Sequence, residues 1–225
     1  MKLTRETEAP WSHTTWRYEL GLCVIFALAL LASSIHSYDS FTWFLEVVPA
    51  LIGVAVLAAT RYRFRFTRLV YTLILVHTII LMIGGHYTYA RVPLGDWVSS
   101  AFHLGRNHYD RLGHFAQGFV PAMIIRELFL RRGIVRREGW VAFLAIAVCM
   151  GISACYELFE YGVAVASGTG AQDFLGGQGD PWDTQNDMLM CLIGSSLAML
   201  TMRGFQDREV AKIEAQSDPQ TKQRA

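Results

Sequence analysis

The sequence is short of charge. Only 17% of its 225 residues are Asp, Glu, Lys or Arg, while 52% are hydrophobic; an average soluble domain carries about 25% charged residues. Its apolar residues fall in six runs of 15 to 21 residues separated by short polar stretches. No soluble core of this size holds six such runs, so a soluble globular enzyme is excluded, as are a disordered chain and a disulfide-stapled secreted domain. Cysteine is scarce too. Cys23, Cys149, Cys155 and Cys191 all lie inside apolar runs without a CxxC spacing, and they read as small buried hydrophobes. No basic patch with interleaved aromatics is present, which excludes nucleic acid as a partner. The runs are continuous rather than alternating, which excludes a membrane β-barrel. There is no internal repeat of the kind inverted-repeat transporters carry.

What remains is an all-α, polytopic helical membrane protein of about six transmembrane helices. The expected spans are Leu20–Ile35, Phe44–Ala59, Leu69–Gly85, Phe115–Leu130, Val141–Tyr161 and Met188–Met202. Several are near the lower limit of about 17 residues for a crossing helix, and Trp16, Tyr18, Trp43 and Trp140 extend them with rings suited to the headgroup level. The first span is long for a signal-peptide core and follows a polar lead of 19 residues, so it is expected to be retained. The domain organisation follows: a tail over 1–19, one six-helix membrane domain over 20–202, and a tail over 203–225 that starts as a short helical extension and frays.

Basic residues set the expected orientation. Of the 20 lysines and arginines, 17 fall in the N-terminal tail, the second and fourth connections with Arg126, and the C-terminal tail. Only Arg91, Arg106 and Arg111 lie elsewhere, in the third connection. By the positive-inside rule both termini are expected to be cytoplasmic. The third connection (86–113) and the fifth (162–187) then lie outside. They are the long ones, rich in His, Asp and Gly, and long connections usually carry function.

Three motifs frame that outer side. YDRLGHF carries Asp110 and His114 at the start of span four, on one helix face with Gln117 and Pro121. YELFEYG carries Glu157 and Glu160 near the end of span five, one turn after Ser153. GDPWDTQNDM carries Asp180, Asp183 and Asp187 at the start of span six, in line with Cys191 and Gly194. Topology alone brings the three to similar depth. Carboxylates in a membrane protein usually face the bundle interior and are paired or functional, and several at one depth repel unless protons or cations intervene.

Asp110, His114, Glu157, Glu160, Asp183 and Asp187 are therefore the expected metal ligands. Asp110, His114, Glu157 and Glu160 are the expected catalytic residues. The residue types suit a divalent cation (Mg, Mn, Fe or Zn) that activates a water or clamps a phosphate. His86, His103 and His108 are further donors on the same side. Each motif also has a plainer reading. Asp183, Thr184 and Asp187 suit the cap of span six and Asp110 that of span four; Glu157 and Glu160 suit ion pairs with Arg106 or Arg111. His77 reads as a hydrogen-bonded core residue, Glu127 as a surface pair with its neighbouring arginines, and Glu46 with Pro49 as a kink mark. SGTGAQDFLGGQGDPW lacks the GxxxxGK[ST] phosphate pattern and reads as an ordered lid over the three helix ends. No GxSxG occurs, which argues against serine hydrolase chemistry.

YDRLGHFAQGFVPA, ACYELFEYG, GDPWDTQNDM with Gly194 beyond it, and GGHYTYARVP together resemble the YjdF-like family of bacterial inner-membrane proteins over roughly 41–202. That resemblance implies location and fold, and no reaction, since the family's domain is one of unknown function. The order of H, ExxE and DxxxD is also distantly similar to VanZ-type membrane proteins, from which Glu160 departs where that pattern has Gln. Two functions are consistent with these residues: a metal-dependent membrane enzyme acting on a lipid-linked or envelope substrate, or a cation- or proton-coupled transporter or accessory protein. Membrane lipids are the implied partners, and no protein partner is identified.

Overall fold

A computed structural model describes residues 13–167 and 178–217. They form eight helices and no strand among the described residues: α1 (His13–Ser34), α2 (Ser40–Thr60), α3 (Arg68–Tyr87), α4 (Pro93–Phe102), α5 (Tyr109–Arg131), α6 (Glu138–Ser167), α7 (Asp183–Thr201) and α8 (Arg203–Ser217). All six expected spans fall in helices, to within a residue at their ends. Four of these, α1, α2, α3 and α6, are each long and apolar enough to cross a membrane, and α7 with α8 makes a fifth if the bent pair is one span.

The exception is α5, and its place in the bundle gives the reason. It packs on α7, α6, α3 and α8, so its polar residues meet protein rather than lipid. Its buried face carries Gly113, Ala116, Gly118 and Ala122. Small residues let helix backbones approach closely in membranes. A Cβ on Gly118 would overlap the Cys191 carbonyl of α7, and one on Gly194 would overlap the Phe115 carbonyl of α5. The apolar core lies beside this crossing, built of Val70, Met123, Ala145, Cys149, Cys191 and Met199.

Caps and turns fix the ends. Asp39 accepts from the Thr42 N–H at 2.6 Å and starts α2; Thr67 caps α3. At the far end of α3, Thr88 and Tyr89 take positive φ values of 59° and 34°. This returns the Tyr89 ring onto Gly84 and Gly113, where no side chain intervenes. The third connection then contains α4, a helix not expected from the sequence, with Leu94, Trp97 and Phe102 exposed. Such a short amphipathic helix is suited to the membrane interface.

Several expectations are corrected at the arginine-rich end. Glu127 is no surface pair: it is 0% exposed. Its two oxygens accept from the Thr67 N–H (2.9 Å), Thr67 Oγ1 (2.7 Å) and Arg131 Nη1 (2.8 Å). The segment after residue 203 does not simply extend α7. α8 turns by 60° and is held to α5 by Arg126, which donates to Gln206 (2.9 Å) and Asp207 (2.7 Å). Gln206 in turn donates to the Met123 carbonyl at 2.8 Å. Two of the cysteines, Cys23 and Cys155, are exposed on the bundle surface; only Cys149 and Cys191 are buried. An apolar thiol facing lipid meets no desolvation cost, so burial was not required of it.

Candidate functional site

The first turn of α5 opens after His108, whose side chain makes no capping bond. Asp110 is therefore not occupied as an N-cap, and with His114 one turn on it points into the bundle. α7 begins after Trp182, again without a side-chain cap, so the capping reading of Asp183, Thr184 and Asp187 does not hold either. Asp187 is 2% exposed. The close α5–α7 crossing brings Asp110, His114 and Asp187 together, with ligand atoms all within 4.8 Å of one another.

His114 organises the cluster. Its Nδ1 lies 3.0 Å from Gln117 Oε1, its Nε2 3.6 Å from Asp110 Oδ1, and Glu157 Oε1 of α6 is 3.8 Å from Nδ1. With the proton on Nδ1 and donated to Gln117, the Nε2 lone pair faces Asp110. A hydrogen bond on one imidazole nitrogen that orients the other is the usual arrangement around a metal-ligating His. Asp187 Oδ1 and Glu157 Oε1 are buried and accept no hydrogen bond among the described residues. Buried acceptors without a donor are costly.

Glu46, read from the sequence only as a kink mark with Pro49, lies beside the cluster. It is 3% exposed in α2 and accepts from the Tyr156 hydroxyl at 3.2 Å. Tyr89 is also within hydrogen-bonding reach, and Asp110 and His114 are close enough to interact with it electrostatically. The available signal was a carboxylate in an apolar run at the depth of the other motifs. Glu160 lies half-buried in the electrostatic neighbourhood of Asp110, Glu157, Glu46 and Asp187.

Asp183 has a different partner. Arg106 binds it at 2.8 Å and Asp180 at 3.2 Å, and Arg111 also binds Asp180 at 2.8 Å. These two arginines thus serve the fifth connection rather than Glu157 or Glu160. The Trp182 N–H holds the Asp180 carboxyl below its ordinary range, and Arg106 and Arg111 add to this. Burial lowers the His108 imidazole, helped by the same two arginines. Asn107 ties the two connections together: its N–H donates to Gln178 Oε1 (3.2 Å) and Gln178 Nε2 donates to its carbonyl (2.8 Å). Asn107 Nδ2 also donates to the Val92 carbonyl (2.9 Å) and Asp96 (2.8 Å), while its Oδ1 accepts from Tyr109 N–H (3.0 Å). Replacing Asn107 with Ala is expected to loosen this strap, read as faster limited proteolysis between residues 162 and 187 with the rest of the bundle protected.

The remaining expected donors lie elsewhere. His86 Nδ1 is 2.9 Å from the Ser33 carbonyl of α1, His103 ends α4, and His108 sits among the arginines. His77 is not hydrogen-bonded through Nε2 among the described residues. Most of the Gly-rich stretch expected as a lid, residues 168–177, lies outside the described residues.

Comparison with known proteins identifies the lineage. The family described as "Predicted membrane protein (DUF2238)" matches residues 18–208, which is most of the chain. The chain belongs to the DUF2238 family. The "Inner membrane protein YjdF" of Escherichia coli strain K12 is 48% identical over 186 residues, covering 83% of this chain and 89% of that relative. No solved structure matches the chain. The DUF2238 match runs through all the clustered residues, from Glu46 on α2 to Asp187 on α7, and ends inside α8.

Proposed function

We propose that this DUF2238 protein is a multi-pass bacterial inner-membrane enzyme that uses a divalent cation against a lipid-linked or envelope substrate. Asp110, His114 and Asp187 are the cation ligands. One His and two carboxylates leave coordination positions open, as catalytic sites with three protein ligands do. The observation that carries the reading is the trio itself: three ligand atoms within 4.8 Å, with a buried and unpartnered Asp187 oxygen among them. The cation supplies Lewis-acid polarisation and an activated water. Glu157, beside His114, is the proton acceptor. Glu160 and the Tyr156–Glu46 pair supply or take the second proton. Asp183 acts indirectly, by holding Arg106 over the site.

The positive-inside pattern supports an outer-leaflet site with both termini cytoplasmic, and the inner-membrane relative supports the location. Two observations favour a one-sided reaction over a transport path. The Val70, Met123, Ala145 and Met199 core separates the carboxylate cluster from the Arg126–Glu127 network. In addition, Tyr156–Glu46 bridges α2 to α6 beside an apolar recess of about 590 Å³ lined by Val148, Gly151, Ile152, Cys155, Tyr156 and Phe159. A lipid-borne substrate reaches the site from that side without crossing the bundle.

Elemental analysis of detergent-purified protein tests this. Wild type is expected to retain about one divalent ion per chain, and Asp187→Asn and Asp110→Asn to lose it at least about tenfold. Equal content in all three, or none in wild type after incubation with Mg, Mn, Fe(II) and Zn, overturns the reading.

A further inference from the structure

α4 is a helix of 10 residues with little protein to hold it. Pro93 opens it in the position that suits a proline. His103, at a φ of 54°, closes it, and the Leu104 N–H donates to the Ser99 carbonyl at 2.9 Å. Isolated helices shorter than about 12–15 residues are marginal in water, and most helices take their stability from burying an apolar face. Among the described residues no other helix packs extensively on α4. Asn107 holds one edge: its amide donates to the Val92 carbonyl and to Asp96, and a Cβ on Gly95 would overlap that amide.

The rest of the helix divides into two further sectors. Leu94, Trp97 and Ala101, spaced by three and four, share one face, and all three are exposed, Trp97 to 66%. Asp96 and Ser100, four apart, share another and are exposed as well. A surface helix in water has two sectors, an apolar one on the core and a polar one in solvent. α4 instead turns its apolar stripe away from the protein. A helix with protein on one side, an apolar medium on the second and water on the third lies in the plane of a membrane interface.

The neighbouring aromatic rings identify that plane. Tyr38 between α1 and α2, Tyr87 at the end of α3, Tyr161 towards the end of α6 and Trp182 ahead of α7 are all exposed at the end of the bundle that carries α4. Trp16, Tyr62 and Trp140 are exposed at the other end. Rings of this kind at both ends mark the two headgroup levels. Arg91, two residues before α4, lies over the Tyr38 ring at 4.1 Å from its centroid, so the chain enters α4 at the ring level. Residues 93–102 contain no lysine or arginine. Their hold on a bilayer therefore rests on apolar area and not on anionic headgroups.

We propose that α4 is seated in the headgroup layer of the bilayer at the carboxylate end of the bundle, with Leu94, Trp97 and Ala101 turned to the acyl boundary and Asp96 and Ser100 to water. This seat exists whether or not the trio holds a cation. It also sets the height of the strap: Asn107 grips Val92 and Asp96 on one side and Gln178 of the fifth connection on the other.

Spin labels on the full chain in phosphatidylcholine vesicles test this. Cys23→Ser and Cys155→Ser remove the exposed native thiols, and one label is attached at Ala101→Cys or at Ser100→Cys. Power saturation reads collisions with oxygen, which concentrates in lipid, and with a nickel chelate, which stays in water. The oxygen-to-nickel ratio is expected to be at least about threefold higher at position 101 than at position 100, with or without added phosphatidylglycerol. If Ala101→Cys fails to fold, Leu94→Cys carries the same comparison. Trp97→Asp is expected to speed amide hydrogen exchange over residues 93–102 at least about tenfold while α5 keeps its protection. Equal ratios at the two positions, a ratio that rises only with phosphatidylglycerol, unchanged exchange in Trp97→Asp, or short-range coupling between the position-101 labels of two chains, the mark of a second copy on this face, overturns the assignment.

Discussion

Valine at Gly118 or at Gly194 is expected to prevent assembly of the bundle. Both glycines face a carbonyl of the opposing helix, Cys191 for Gly118 and Phe115 for Gly194, and an added Cβ at either overlaps that backbone atom. A flexible side chain yields to such a clash by changing rotamer. A carbonyl moves only if the whole helix moves. Overpacking ordinarily costs about 1–3 kcal/mol; separating α5 from α7 breaks the most extensive helix contact in the fold and belongs to the exceptional class above about 4 kcal/mol. Size-exclusion profiles and thermal unfolding in detergent are the measurements. Aggregated or low-yield protein is expected for Gly118→Val, with Gly118→Ala intermediate. A valine variant that unfolds at the wild-type temperature contradicts the close crossing. The same variant also separates Asp110 and His114 from Asp187, so any function of the trio is lost with the fold.

The second large effect is expected at Glu127. This carboxylate is wholly buried, and its partners come from three places: Thr67 ahead of α3, Arg131 on its own helix, and Gln206 on α8 at 3.4 Å. Removing one member of a buried, hydrogen-bonded ion pair costs about 3–5 kcal/mol, since the other charge is left without a partner. Glu127→Ala leaves the Thr67 N–H and Arg131 in that position. Arg131→Met is expected to cost less, because the arginine is partly solvated and also donates to the Arg65 carbonyl and lies 4.4 Å from the Phe64 ring centroid. A double-mutant cycle read by unfolding in detergent gives the coupling directly. Additive losses, or a Glu127→Ala cost below about 0.5 kcal/mol, contradict the role of this network in joining α3, α5 and α8.

Local pattern carried a large part of the site. Asp110 and His114 are one turn apart, and so are Asp183 and Asp187; strict alternation of spans brings the start of one motif beside the start of the other. That reasoning needs only helical periodicity and topology. It read Glu46 only as a kink mark, because a single carboxylate in an apolar run has no partner in its own helix; the tyrosine that binds it is 110 residues away. Glu127 was misread for the same reason. Arginines at neighbouring positions in the sequence suggested a surface pair, whereas Thr67 and Gln206 lie 60 and 79 residues away and bury it. Asp183 shares a helical stripe with Asp187, yet Arg106 claims it at 2.8 Å. The stripe defines which residues face inward, and the neighbouring connection decides which of them stay available.

The sequence by itself determined that this is an all-helical membrane protein, where its long apolar helices run, and that most of its arginines gather at the end opposite its carboxylate motifs. Those properties follow from the length of apolar runs and the cost of charge in lipid, which act on each segment separately. Tertiary structure decided that α5, the least apolar of the six, is the central helix, that Asp110, His114 and Asp187 share one space, and that Glu46 joins them. Each of these depends on how closely two helices approach, and that distance is set by glycines meeting carbonyls across an interface, a relation between residues about 75 positions apart.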